Sequence, residues 1–129
     1  MLNYLTMICD LKKSRELVNR EKVQYELIDM LKETNEIFQS IIVVPFIITI
    51  GDEWEWLLNY DCNYMKILDF FHKKLKSIDF YCGIGIGPVS IKNFELTVNQ
   101  LDGPSFYLAR DALIDAKKQN LPIVVKTYS

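Results

Sequence analysis

Two carboxylates stand where apolar runs stop, and they are the residues of this chain best suited to chemistry. Asp10 follows the apolar run Tyr4–Cys9, and Asp52 lies in Gly51-Asp52-Glu53, the one break in FIITIGDEWEWLL. Two carboxylates held close in a partly apolar setting repel, and a shared proton, a basic partner or a divalent cation relieves the repulsion. Mg²⁺ or Mn²⁺, held by Asp10 and Asp52 together with ligand phosphates, fits such a pair. Glu53 is the candidate third ligand or general base, and Arg110 is a candidate phosphate contact. Lys12, Lys13, Ser14 and Arg15 come directly after the first carboxylate. With the backbone N–H groups of Leu11 to Ser14 they form a candidate phosphate cradle, so the expected ligand is a nucleotide or another phosphorylated small molecule.

Each of these residues also has a plain structural reading. Gly-Asp is ordinary turn chemistry, and an aspartate at a strand end is commonly a cap. The lysines can form a solvated loop, and Arg110 can pair with Asp111 or another acid. Trp54 and Trp56 share one strand face, which suits core or interface better than a base-stacking platform. His72 has no partner motif and reads as a surface residue. No Ser-His-Asp order, H-E-x-x-H, Walker A or G-x-G-x-x-G pattern occurs, which disfavours those enzyme classes.

The elements that must position the carboxylates are legible in the apolar periods. Tyr4–Cys9 predicts a buried strand. Val23, Leu27, Met30, Leu31 and Phe38 recur at a helical period from Asn19 to about Gln39, with Asn19 as the expected cap. Ile41–Ile50 and Trp54–Leu58 predict a hairpin closed by Gly-Asp-Glu, and Pro45 places its first strand at a sheet edge or a bulge. A second helix is expected from an Asp61 cap to about Lys76, with Tyr64, Ile67, Leu68, Phe71 and Leu75 as its stripe. Phe80–Gly87 alternates so that Gly83, Gly85 and Gly87 leave one strand face almost without side chains, and something should approach that backbone closely. Asp102-Gly103-Pro104 opens a third helix to about Gln119, Asn120 suits its left-handed end, and Pro122–Tyr128 is a last strand.

The order β-α-β-β-α-β-α-β predicts an α+β, ferredoxin-like fold, an antiparallel sheet with helices mainly on one face. Right-handed crossovers give the strand order 4-1-3-2, which again makes the proline-bearing strand an edge. Strand one and the hairpin then end on the same rim, where Asp10 and Asp52 face each other.

Composition limits the remaining options. The chain has 129 residues, 50% hydrophobic and 25% charged, the size of a single domain over residues 1–129. Its net charge of -2, from 15 Lys and Arg against 17 Asp and Glu, offers no general attraction for nucleic acid or an anionic membrane. The longest apolar stretch, Ile41–Ile50, is well short of the roughly 20 residues that span a bilayer. The opening MLNYLTMICD lacks a basic leader, and the 3 cysteines have no C-x-x-C spacing, so a cytoplasmic chain with reduced, mostly buried thiols is expected.

CDLKKSREL, TIGDEWEWLL, YCGIGIGPVS and DGPSFYLARDAL together resemble, in order and spacing, the bacterial SatD family, which is named from an acid-tolerance locus. More remotely they resemble the palm-type domains of class III nucleotide cyclases and GGDEF diguanylate cyclases. That resemblance implies metal binding by Asp10 and Asp52. It also exposes departures. The purine-selecting lysine of the cyclases falls on Ile48, and the first glycine of GGDEF falls on Ile50. The asparagine-x-x-x-arginine pattern of the last helix falls on Tyr107 and Asp111, with Arg110 displaced by one residue, a helical rotation of about 100°. Two readings therefore stand side by side. One is a cyclase-like domain binding a phosphorylated ligand with metal, with or without cyclase or phosphoryl-transfer activity. The other is a non-catalytic regulatory module, related to stress or acid tolerance, whose Trp54–Trp56 face or glycine face serves a homodimer or another partner.

Overall fold

The computed structural model describes residues 2–129. Its elements are β1 (Tyr4–Leu11), α1 (Arg20–Ile37), β2 (Ile42–Ile50), β3 (Glu53–Asn59), α2 (Tyr64–Leu75), β4 (Phe80–Gly87), α3 (Pro104–Gln119) and β5 (Ile123–Thr127), with short 3-10 turns at Ser14–Glu16 and Val98–Gln100. The strands form one sheet in the order β2-β3-β1-β4-β5. β1 pairs antiparallel with both β3 and β4, and β5 adds parallel to β4. This is the expected α+β, palm-like arrangement with a fifth strand at the β4 edge.

β1 is central and covered on both sides, which is why its sequence is a nearly continuous apolar run. β2 is an edge strand, and its register with β3 shifts around Val44–Ile47, the stretch that holds Pro45. The ring that cannot donate to a ladder is thus placed where no ladder bond is required. The apolar stripes of α1 (Val23, Leu27, Met30, Leu31) and α2 (Ile67, Leu68, Phe71, Leu75) close one face of the sheet over Met7, Cys9, Trp54, Trp56, Phe80 and Ile84. Trp54 and Trp56 are fully buried and set edge-on to Phe71, so the indole face is core and is not available as a dimer or partner surface. Cys9 and Cys82 are buried, Cys62 is half-buried, and all three are free thiols.

α3 takes the opposite face. The sequence reading placed helices mainly on one side, which holds for α1 and α2; the glycine face is covered by α3 and is neither bare nor a partner surface. A Cβ on Gly83 would lie 2.4 Å from the Leu113 N and 2.5 Å from the Ala109 carbonyl oxygen. One on Gly85 would lie 2.2 Å from the Ser105 carbonyl oxygen, and one on Gly87 would lie 2.9 Å from the Tyr128 Cβ. The close approach foreseen for this strand is therefore the backbone of a helix. Ser105, fully buried in the first turn of α3, shares a hydroxyl hydrogen bond of 2.7 Å with Thr6 on β1 and also donates toward the Gly85 carbonyl.

Helix ends differ in detail from the sequence reading. Asn19 precedes α1 in a left-handed conformation (φ 59) with no side-chain cap bond. α2 starts after Asn63 and not at Asp61, because residues 59–62 form a turn closed by the Cys62 N–H on the Asn59 carbonyl. At α3 the cap position is Gly103 (φ 135), with Pro104 in the first turn, while the Asp102 carbonyl accepts the Ser90 N–H. Asn120 ends α3 in the left-handed conformation expected of it (φ 51). Among the described residues no helix is long and apolar enough to cross a membrane.

Because the atoms facing Gly83 are helix backbone, they cannot move aside singly. Gly83→Ala is expected to lower stability by about 1–3 kcal/mol through overpacking, read as a lower urea midpoint at unchanged slope. A midpoint equal to that of the unsubstituted chain would refute the close packing of α3 on β4.

Candidate functional site

Strand alternation sorts β3 into two chemistries. Trp54, Trp56 and Leu58 enter the core beneath the sheet, so Glu53, Glu55 and Leu57 point to the α3 side. Asp10 is the direct partner of Glu53 across the β1–β3 ladder. Asp52 sits at the hairpin tip, and its carbonyl accepts the Leu11 N–H at 3.1 Å, which ties the tip to the end of β1. Asp10, Asp52 and Glu53 thus lie at one end of the sheet.

α3 lays two cations across these acids. Arg110 forms a bidentate pair with Glu53, Nη1 to Oε1 at 2.7 Å and Nη2 to Oε2 at 3.0 Å, and Thr49 Oγ1 donates to Glu53 Oε2 at 2.7 Å. The Lys117 ammonium contacts Asp10 Oδ2. Arg110 and Lys117 are seven residues apart, two helical turns, so both extend from the same side of α3. The sequence reading did not single out Lys117. That spacing from Arg110 was its only signal. The Ser14 hydroxyl donates to Asp52 Oδ2 at 2.5 Å.

The electrostatics follow from burial and these partners. Burial raises the Asp10 carboxyl above its ordinary value; Lys117 opposes the shift and the charge of Asp52 adds to it. Burial would raise Glu53 as well, but the hydrogen bonds from Arg110 and Thr49 bring it below the ordinary glutamate range. Both oxygens of Glu53, expected as a third metal ligand or general base, accept from Arg110, and one of them also from Thr49. Among the described residues no group of three or more His, Cys, Asp and Glu side chains is placed to hold a metal ion. At this end of the sheet the second oxygen of Asp10, Oδ1, is buried without a hydrogen bond.

The basic segment after β1 is only partly arranged as a cradle. Lys13 adopts a left-handed conformation (φ 50) before the turn Ser14–Glu16, and Lys13 and Arg15 are exposed. Lys12 lies over the Tyr81 ring, 4.5 Å from its centre. Two of the four N–H groups expected to face phosphate are already used, Leu11 on Asp52 and Lys12 on the Asp79 carbonyl at 2.9 Å.

A second feature was not foreseen. Between α3 and the segment around Val98–Asp102 the sheet face opens into a cavity of about 470 Å³, floored by Ile8, Glu53 and Glu55. Glu55 is 7% exposed and takes part in none of the side-chain hydrogen bonds or ion pairs of the described residues. Burial pushes its carboxyl up to about 7, with Arg110 opposing and Glu53 adding to the shift. Its position in the alternation of β3 was legible; that nothing would pair with it was not.

The central strand flanked by a hairpin and a crossover gives the chain a cyclase-like palm fold. Over 98% of this chain and 75% of the other, the structure is similar to that of a bacterial light-regulated adenylyl cyclase, with a TM-score of 0.61 at 14% sequence identity. An EAL/GGDEF domain protein from M. capsulatus aligns over 99% of this chain and 86% of its own, at 15% identity and a TM-score of 0.49. The chain belongs to the SatD family, whose profile matches residues 4–121. Comparison with curated protein sequences finds no match.

Glu55 gives stability a defined pH dependence. Its folded value lies above its unfolded one, so its contribution is fully present below about pH 4.5 and is lost as pH rises through about 7. The loss is on the order of 3 kcal/mol. Glu55→Gln is expected to abolish it, so that urea unfolding at about pH 8 finds the variant more stable than the unsubstituted chain. Parallel stability profiles for the two proteins between pH 5 and 8 would refute the assignment.

Proposed function

We propose that the Asp10–Asp52 end of the sheet binds a divalent cation, Mg²⁺ or Mn²⁺, and through it a nucleotide or another phosphorylated ligand. The observation that carries this reading is the buried, unpartnered Asp10 Oδ1 at the end of the sheet where Asp52 lies. A carboxylate oxygen removed from water without a donor costs free energy, and a cation is its natural partner. Asp10 and Asp52 would hold the ion, which would supply positive charge to phosphate oxygens. Lys13 and Arg15, exposed beside Ser14, supply further positive charge at the same end.

The arrangement favours binding over turnover. Glu53 is held below the ordinary glutamate range by Arg110, which makes it a weak base, and Arg110 spends two N–H groups on Glu53. Cyclase and phosphoryl-transfer activity would require that pair to open. Lys117 already neutralises part of the Asp10 charge, so it competes with an incoming ion.

Calorimetric titration with MnCl₂, followed by ATP or GTP in its presence, tests the proposal. Asp10→Asn and Asp52→Asn are each expected to weaken metal binding at least about tenfold, equivalent to about 1.4 kcal/mol. Lys117→Met is expected to tighten it, because a like charge is removed from the neighbourhood of the ion. Absence of metal binding, or binding indifferent to all three substitutions, would sink the proposal. The acids would then be a structural ion-pair network, and the regulatory-module reading would take its place.

A further inference from the structure

The cavity beside α3 uses residues that the metal proposal leaves aside. Its apolar lining comes from Ile8, Val98, Leu101 and Phe106. Its charged lining is Glu53, Glu55, Asp102 and Asp111 against a single cation, Arg110. The two Nη donors of Arg110 bond Glu53, so Arg110 acts on Glu55 through its charge alone and Glu55 faces the space without a hydrogen-bonded counter-ion. The other elements around it offer none: β1 presents Ile8, β2 presents Thr49, the segment before α3 presents Asp102, and α3 adds Asp111. A carboxylate nine-tenths buried in such a wall is costly unless something positive or a proton meets it.

We propose that this cavity is a binding site for a small organic cation, an amine or guanidine with an apolar body, and that Glu55 is its counter-ion. The volume of about 470 Å³ is within the range of small-molecule pockets, which combine apolar walls with a few polar groups that fix orientation. An anionic ligand would face four carboxylates and one engaged guanidinium. A bare metal ion would leave the apolar wall unused and finds no convergent set of three ligands among the described residues. An organic cation satisfies both halves of the lining: its charge answers Glu55 and its carbon body covers Val98, Leu101 and Phe106. Tyr107, 55% exposed and part of the lining, adds an aromatic ring suited to a cation. The site stands apart from the metal proposal, which concerns Asp10, Asp52 and the Lys117 end of α3.

The test is ¹⁵N-resolved NMR titration of the full chain with phenethylamine, tryptamine, agmatine and putrescine, and with 2-phenylethanol and phenylacetate as neutral and anionic counterparts of the first. At least one amine is expected to shift the amides of Glu55, Val98 and Phe106, and phenethylamine to bind at least tenfold tighter than either counterpart. Glu55→Gln is expected to erase that discrimination, while Asp10→Asn, which disables the proposed metal site, leaves it in place. Shifts from none of the amines, equal binding of phenethylamine and its counterparts, or discrimination that survives Glu55→Gln would each overturn the proposal. Should Glu55→Gln fail to fold, the charge series on the unsubstituted chain decides, together with Leu101→Trp, which is expected to fill the cavity and abolish the amine-induced shifts.

Discussion

The constraint on which the rest of the structure depends is the contact between the backbone of α3 and the glycine face of β4. At Gly83 and Gly85 the helix comes so near that a single methyl group would overlap its N–H and carbonyl groups. Close approach brings dispersion contacts along the whole helix and seats Ser105 on Thr6, which sets the position of α3 along β1. It also fixes rotation. Ala109, Ala112, Leu113 and Ala116 face the sheet, and Arg110 and Lys117 are carried to the flank, above β3 and the end of β1.

From that placement follows the charge order of the upper sheet. Three acids, Asp10, Glu53 and Glu55, rise from neighbouring strands, each less than a tenth exposed. Alone they would repel one another and resist burial. α3 delivers one cation to Glu53 and one to Asp10, and it leaves Glu55 unanswered. The two proposals rest on what this distribution leaves over: an oxygen of Asp10 without a donor at one end of α3, and a whole carboxylate without a partner at the other.

The sequence reading and the structure meet most closely where physics is local. The element order, the edge position of the proline-bearing strand and the close approach to Gly83 and Gly85 were all legible, since each rests on period, ring geometry or a missing Cβ. Caps were less so: Asn19 and Asp61 have capping side chains, but the chain enters α1 and α2 by turns that leave those side chains unused. Trp54 and Trp56 could be core or surface by pattern alone. Their burial depended on Phe71 and Phe80 arriving from elsewhere in the chain.

The sequence by itself determined the palm-like order of strands and helices, the two strand faces of β3, and the placing of Asp10 and Asp52 at strand ends that share a rim. Those are properties of neighbouring residues and short periods, and the chain carries them before it folds. Only the tertiary structure decided that Arg110 closes on Glu53, that Lys117 meets Asp10, and that Glu55 faces an acidic cavity without a partner. Which charges meet depends on the rotation and depth of α3 on a sheet whose strands come from distant parts of the chain. A few tens of degrees at the helix would exchange one partner for another, and no local pattern encodes that angle.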